Sequence, residues 1–165
     1  MKKKFRVRLC FSLMLLLVLL IDGISKAWAE QTLVLYQPIP IIGQFLQLTL
    51  NYNTGIAFGL FANRGSWPII FTGFVILGLV IWLLQLLRRG EFPVQTASPI
   101  GLFVGGAVAN FVDRLPDGRV TDFLDVSVGA IRWPTFNLAD SFIVLGVTVL
   151  MLMTMKEQRQ LEIKP

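Results

Sequence analysis

Residues 120–141, V-T-D-F-L-D-V-S-V-G-A-I-R-W-P-T-F-N-L-A-D-S, decide the fold. They place Asp122 just before a short loop and Asp140 a few residues into a long apolar segment, with Asn137 three positions earlier. Residues three apart share a helix face, so Asn137 and Asp140 are predicted neighbours. A carboxylate inside a membrane-length apolar segment is costly and marks a functional site by default. Two carboxylates brought to one water molecule would form a pair of the aspartic-protease kind.

The composition is typical of a protein embedded in a membrane. Apolar residues make up 55% of the 165-residue chain and charged residues only 15%, and the mean hydropathy is +0.69. These values are too apolar for an ordinary soluble domain, and the length allows one domain at most. The basic residues lie at the ends of apolar runs, so membrane orientation explains the net charge of +5 better than nucleic-acid binding.

The available side chains restrict the chemistry. The chain has no histidine and one cysteine, Cys10. This excludes a histidine general base, a Cys-His pair and a zinc site built from thiolate or imidazole ligands. No disulfide can form within the chain. Carboxylate, amide, hydroxyl, Lys and Arg groups remain, and we expect neither a metal nor a cofactor.

Four apolar segments predict four transmembrane helices. Their approximate bounds are 9–29, 67–87, 96–113 and 136–155, close to the length needed to cross ~30 Å of hydrocarbon. The basic start and the A-W-A sequence at 27–29 leave a cleaved signal peptide as the alternative for the first segment. Under the four-span topology, ten of the 15 Lys and Arg residues lie on the side of the termini. This excess predicts that both termini are cytoplasmic.

The segments between the spans predict a small subdomain outside the membrane. Apolar and polar residues alternate over 46–53, as in a half-buried strand whose apolar face could rest on the membrane. N-T-G at 53–55 indicates a turn, residues 56–61 a second short strand and residues 63–66 another turn. We therefore expect an α-helical integral membrane protein with an extracytoplasmic β-rich insert at about 31–66, between helices 1 and 2. An extracytoplasmic loop at about 114–135 would carry Asp122.

The carboxylates have competing interpretations. Asp140 alone could be a dipole partner at a helix start, and Asn137 could be an N-cap or a donor that fixes the Asp140 carboxylate. Its hydrophobic neighbours in sequence make Asp122 a stronger candidate for a functional residue than the nearby Asp117 and Asp125. Asp117, in a P-D-G turn, and Asp125 are interpreted as ordinary loop carboxylates.

Three other polar features are candidates. Asp22 and Lys26 are four residues apart in D-G-I-S-K, which allows an ion pair on a helix, and we interpret this pair as mainly structural. Arg114 ends N-F-V-D-R (110–114) and could bind a backbone carbonyl, a lipid phosphate or Asp113. Asn53 lies at a turn, where asparagine is common for conformational reasons alone.

Five short blocks together resemble bacterial lipoprotein signal peptidase, the signal peptidase II family, over nearly the whole chain. They are D-G-I-S-K (22–26), N-T-G-I-A-F-G (53–59), G-G-A-V-A-N-F-V-D-R (105–114), V-T-D-F (120–123) and F-N-L-A-D-S (136–141). Each block alone is weak, but five in the order of the family on four spans are specific. Ala109 and Thr121 stand where many members have Gly and Val.

The resemblance implies an intramembrane aspartic peptidase whose catalytic pair is Asp122 and Asp140. Asp22 and Lys26 match residues linked to stability in the family. Residues implied to support the site or bind substrate are Asn53, Asn110, Arg114 and Asn137. Gly55 is expected to give the Asn53 loop freedom to close over the site.

The resemblance also implies the substrate and the location. The substrates would be prolipoproteins whose lipobox cysteine carries diacylglycerol, cut just before that cysteine. The enzyme would lie in the bacterial inner membrane, in contact with membrane lipids, with its active site near the outer face. A cyclic peptide of the globomycin type is the implied inhibitor.

Other classes of protein remain as alternatives on the residues alone. A metal-dependent lipid phosphotransferase could use Asp122 and Asp125 to bind Mg²⁺. A small transporter could place Asp22 and Asp140 on an ion path. A non-enzymatic membrane scaffold would tolerate replacement of Asp140 by asparagine.

Overall fold

The computed structural model describes residues 2–55, 67–89 and 93–162. In that part of the chain, four long helices overlap the four apolar segments. They are α1 (Lys2–Thr32), α2 (Trp67–Arg89), α3 (Val94–Arg114) and α4 (Leu138–Glu162). The strand and the turn predicted over 56–61 and 63–66 lie outside the described residues.

Two of these helices are apolar enough to cross a membrane by length and composition. Within the described residues they are Lys2–Thr32 and Leu138–Arg159, and Ile69–Leu83 of α2 forms a shorter apolar stretch. Polar side chains such as Gln95 and Asn110 make α3 less apolar. The four-span topology therefore stays a prediction.

Helix α3 lies at the centre of the helical part, between α1 and α4. A Cβ atom added at Gly101 would lie 2.8 Å from the carbonyl oxygen of Phe11 in α1, and one at Gly106 would lie 2.7 Å from Cγ1 of Ile143 in α4. Glycine at these positions therefore allows α1 and α4 to pack closely against α3. The close approach brings the C-terminal end of α3 against the start of α4.

The described strands form one antiparallel sheet in the order β1-β2-β3-β4. Their bounds are β1 (Ile39–Ile42), β2 (Leu46–Asn53), β3 (Val120–Val128) and β4 (Ile131–Arg132). The strand predicted over 46–53 is confirmed as β2. Leu50 of this strand is buried with Ala29 and Leu33 at the end of α1 and with Phe123, so this residue packs inside the protein. Contact of the strand with a membrane stays a prediction.

Strand β3 corrects the prediction of a loop over 114–135. Asp122 does not precede a loop but lies within β3, where it pairs with Asn51 of β2. Neighbouring residues on both faces of β3 are buried, so the strand lacks the alternation that identifies β2. The sheet is therefore built from both the 31–66 insert and the 114–135 segment.

Candidate active site

Asn137 connects the two carboxylates singled out by the sequence. Its side-chain amide Nδ2 donates a hydrogen bond of 2.7 Å to Oδ1 of Asp122. Its backbone N–H donates to Oδ2 of Asp140 over 3.3 Å. Asn137 is fully buried, so no water competes for these donors. Strand β3 and the start of α4 thus present Asp122 and Asp140 to the same residue.

The start of α4 is a reciprocal capping arrangement. Oδ1 of Asn137 accepts the backbone N–H of Asp140 at 2.9 Å, while the Asp140 carboxylate accepts the backbone N–H of Asn137. This is the geometry of a capping box, with Asn137 as N-cap. Both interpretations of Asn137 therefore hold, since it caps the helix and also fixes the Asp140 side chain.

Asn110 approaches the same group from α3. Its Nδ2 donates to Oδ1 of Asp140 at 2.8 Å. Its Oδ1 accepts from Nδ2 of Asn137 at 3.1 Å and from the ammonium of Lys26 at 2.9 Å. These partners fix the orientation of the Asn110 amide, because its oxygen faces only donors and its nitrogen faces a carboxylate.

Lys26 is the centre of a buried ionic cluster. Its ammonium lies 2.7 Å from Oδ2 of Asp22, which confirms the predicted ion pair, and 3.1 Å from Oδ2 of Asp113. Oδ1 of Asp22 accepts the backbone N–H of Ala139 at 2.8 Å, in the first turn of α4. Lys26 and Asp22 are almost completely buried, where unpaired charges would be very costly. The pair therefore holds α1 against the start of α4.

Arg114 holds the turn that follows β2. Its guanidinium donates from Nη1 to the carbonyl oxygen of Asn110 at 3.1 Å and from Nη2 to the carbonyl oxygen of Gly55. Oδ1 of Asn53 accepts the backbone N–H of Gly55 at 2.9 Å within this turn. Of the partners considered for Arg114, the structure has backbone carbonyls, whereas Asp113 pairs with Lys26.

The buried position of Asp122 changes its acidity. Burial and, to a smaller extent, the negative charge of Asp140 raise the pKa of Asp122 to about 7. Hydrogen bonds from Asn137 and Asn53 and the charge of Lys26 act in the opposite direction on this pKa. Asp122 is therefore poised to hold or release a proton near neutral pH.

Thr121 is a site residue that the sequence reasoning missed. Its backbone N–H donates to Oδ2 of Asp113 at 2.9 Å, and its hydroxyl donates to Oε1 of Glu30 at 2.6 Å. These contacts hold β3 in place at the residue next to Asp122. The sequence offered a signal only for its partner Asp113, which lies three residues after Asn110 and therefore on the same face of α3.

Asp125 does not join Asp122, although both lie on β3. Its Oδ2 accepts from the hydroxyl of Thr49 at 2.9 Å and from Nη1 of Arg132 at 2.6 Å. These contacts lie within the sheet and connect β2 to β4. The Asp125 carboxylate is therefore committed to the sheet.

The fold and the site define a class of protein, an apolar helical protein with two amide-bound carboxylates at one end of its helices. Solved structures share this fold, and two of them are similar to most of this chain. One is a bacterial membrane enzyme determined by the in meso method at 2.3 Å resolution, with a TM-score of 0.80, 25% identity and coverage of 94% of this chain and 93% of that chain. The other, a bacterial membrane enzyme determined by the same method at 1.9 Å resolution, gives a TM-score of 0.75 and 26% identity and covers 88% of this chain and 92% of that chain.

Sequence comparison gives the family. The model of signal peptidase (SPase) II matches residues 14–156. The lipoprotein signal peptidase of Xanthomonas euvesicatoria pv. vesicatoria is 40% identical over 141 residues, which cover 84% of this chain and 81% of the relative. That of Coxiella burnetii is 41% identical over 138 residues, covering 81% and 82%.

The chain belongs to the signal peptidase II family. It is therefore a peptidase, and its fold and apolar helices indicate a bacterial membrane protein. This confirms the resemblance carried by the five sequence blocks. The alternatives of a lipid phosphotransferase and a small transporter receive no support from these relatives.

Proposed function

We propose that this chain is an aspartic lipoprotein signal peptidase that cuts prolipoproteins just before a diacylglyceryl-modified cysteine. The observation that carries the aspartic mechanism is Asn137, whose N–H groups hold Asp122 and Asp140 at 2.7 and 3.3 Å. Membership of the signal peptidase II family and the names of the relatives support the reaction and the substrate class.

The proposed setting is the bacterial inner membrane, with four spans, both termini in the cytoplasm and the site near the outer face. Asp140 is the third residue of α4, so it lies ~3 Å along the axis from the first helical residue. A cysteine held in the outer leaflet by its lipid would present the preceding peptide bond at about this depth. Membrane lipids would then surround the apolar faces of the helices.

We assign the resting proton to Asp122 and the negative charge to Asp140. Asp140 lies in the first turn of α4, where the helix dipole favours a negative charge, and accepts N–H donors from Asn110 and Asn137. Asp122 is 2% exposed and lies in β3, without a helix terminus to stabilise its charge. Two neighbouring carboxylates share one proton, because ionising both is costly.

The reaction then follows as two proton transfers and their reversal. The Asp140 carboxylate takes a proton from water while the water oxygen bonds to the scissile carbonyl carbon, and Asp122 donates its proton to the carbonyl oxygen. This gives a neutral tetrahedral diol. When the C–N bond breaks, Asp140 returns its proton to the cysteine nitrogen, and Asp122 regains a proton from one diol hydroxyl.

The turn tied by Arg114 would bind the substrate beside this pair. Asn53 and Gly55 lie at the end of β2, next to the strand that carries Asp122. We propose that this turn contacts the substrate backbone and closes over it. A cyclic peptide of the globomycin type would compete for the same place.

Cleavage by purified protein in detergent with excess EDTA tests the proposed function. The substrate is a diacylglyceryl-modified prolipoprotein, and the matched control is the same prolipoprotein without the lipid. We expect EDTA-resistant cleavage before the modified cysteine and much slower cleavage of the control. Loss of activity in EDTA that returns with Mg²⁺ would contradict the aspartic mechanism, and equal cleavage of both substrates would contradict the lipid requirement.

The pH dependence of kcat/KM tests the assignment of the proton to Asp122. Because the pKa of Asp122 is raised to about 7, the group is protonated below that pH and able to donate. We expect kcat/KM to fall as the pH rises through about 7, approaching tenfold per pH unit. A rate that rises through this range and then stays constant would instead make Asp122 the base.

A further inference from the structure

Lys26 is connected to Asp140 through a single amide. Its ammonium donates to Oδ1 of Asn110 at 2.9 Å, and Nδ2 of the same Asn110 donates to Oδ1 of Asp140 at 2.8 Å. A cation at the oxygen of an amide withdraws electron density and makes its N–H a stronger donor. The chain of hydrogen bonds therefore carries the positive charge of Lys26 towards the carboxylate.

Asp22 reaches the same carboxylate by a different route. Its Oδ2 pairs with Lys26 at 2.7 Å, while its Oδ1 accepts the N–H of Ala139, the residue before Asp140. The negative charge of Asp22 thus lies against the helix turn that holds Asp140. Like charges disfavour ionisation of a neighbour, so Asp22 and Lys26 act on Asp140 in opposite directions.

From this arrangement, and resting on the proposed function, we infer that Lys26 is a positioning residue of the reaction. Acting through Asn110, it keeps Asp140 ionised and aligned as the base, and Asp22 limits this effect. The pair is more than a structural ion pair. The Lys26 ammonium has three acceptors, Asp22 on α1 and Asn110 and Asp113 on α3, so all of its hydrogens are used.

Burial strengthens the electrostatic influence of Lys26 on Asp140. Lys26 and Asp22 are 5% and 2% exposed, so solvent and salt screen their charges little. The charged groups around Asp140 come from every element packed against the site. They are Asp22 and Lys26 of α1, Asp113 and Arg114 of α3, and Asp122 of β3.

The test compares acid limbs of the kcat/KM profile for Lys26→Met and Asp22→Asn on a lipidated prolipoprotein. Lys26→Met removes the positive charge, so the midpoint of the acid limb should move to higher pH by at least about half a unit. Asp22→Asn removes the negative charge while keeping an oxygen for the Ala139 N–H, so the midpoint should move to lower pH. Asp117→Asn, in an exposed ion pair with Arg119, is the control and should leave the midpoint unchanged.

A purely structural role gives a different result. Both variants would then lower the thermal unfolding midpoint and the amount of active enzyme, with acid limbs at the wild-type pH, and the inference would be overturned. If Lys26→Met does not fold, Asp22→Asn decides alone by the presence or absence of its shift. Absence of cleavage by wild-type protein would instead overturn the proposed function, so the two failures are distinguishable.

Discussion

Replacing either Asp122 or Asp140 by asparagine is expected to lower cleavage of a lipidated prolipoprotein by at least about 10²-fold, the scale of positioned proton transfer. Asparagine has nearly the same shape as aspartate but can neither take the proton of water nor donate one as an acid. In Asp122→Asn, the new amide oxygen can still accept from Nδ2 of Asn137, so the fold should persist. The measurement is kcat/KM beside the thermal unfolding midpoint.

Both variants should lose some stability. The Asp140 carboxylate accepts from both Asn110 and Asn137, so one of these donors would face the new amide nitrogen in Asp140→Asn. Losing one such hydrogen bond costs about 1–3 kcal/mol in a buried site. Asp122 likewise accepts from two donors, Asn137 and Asn53, so both variants are expected to unfold at a lower temperature than the wild type.

Asp125→Asn is the matched control, because it makes the same substitution three residues along the same strand. Asp125 is as buried as Asp122, but its partners are Thr49 and Arg132. We expect this variant to lose stability while its folded fraction keeps near wild-type kcat/KM. Folded Asp122→Asn or Asp140→Asn with more than about a tenth of wild-type activity would contradict the proposed roles.

The sequence was sufficient to predict β2 but not β3, and the difference is physical. In β2 the two faces have chemically different partners, since Leu50 packs in the apolar core and Thr49 binds the Asp125 carboxylate. This difference produces the alternation. Thr121 and Asp122 lie on opposite faces of β3 and are both buried, so local periodicity does not identify a strand whose surroundings are supplied by distant segments.

The sequence predicted which residues lie together in the site but not which contacts they make with one another. Spacing alone predicted that Asn137 and Asp140 are neighbours, because both belong to one helix start. The contacts of Asn110 with Lys26 and Asp140 depend on how α1, α3 and α4 pack, which no local pattern encodes. The interpretation of Lys26 from the sequence therefore covered its ion pair with Asp22 but not its contact with Asn110.

We expect Gly106→Ala to lower both stability and activity strongly, because Gly106 lies where α3 packs on α4. A methyl group at this position would lie against the carbonyl oxygen of Ala139 and 2.7 Å from Cγ1 of Ile143. Backbone cannot rotate away as a side chain can, so the two helices must separate. Overpacking of this kind costs about 1–3 kcal/mol, only partly offset by the better helix propensity of alanine.

This separation should also reduce activity, because Gly106 lies one helical turn before Asn110. Moving α3 away from α4 lengthens the hydrogen bond between Asn110 and Asp140, which is 2.8 Å in the structure. A displacement of ~1 Å in a catalytic group can cost about 10²-fold in rate. We therefore expect Gly106→Ala to lower both the thermal unfolding midpoint and the kcat/KM of the protein that remains folded.

Gly78→Ala in α2 separates this packing effect from the general consequences of a Gly to Ala change. A Cβ at Gly78 meets no atom within 4 Å, so only the gain in helix propensity remains. That gain is up to about 1 kcal/mol, and kcat/KM should be unchanged. If Gly106→Ala matched Gly78→Ala in both measurements, close contact between α3 and α4 would not be what positions Asn110 against Asp140.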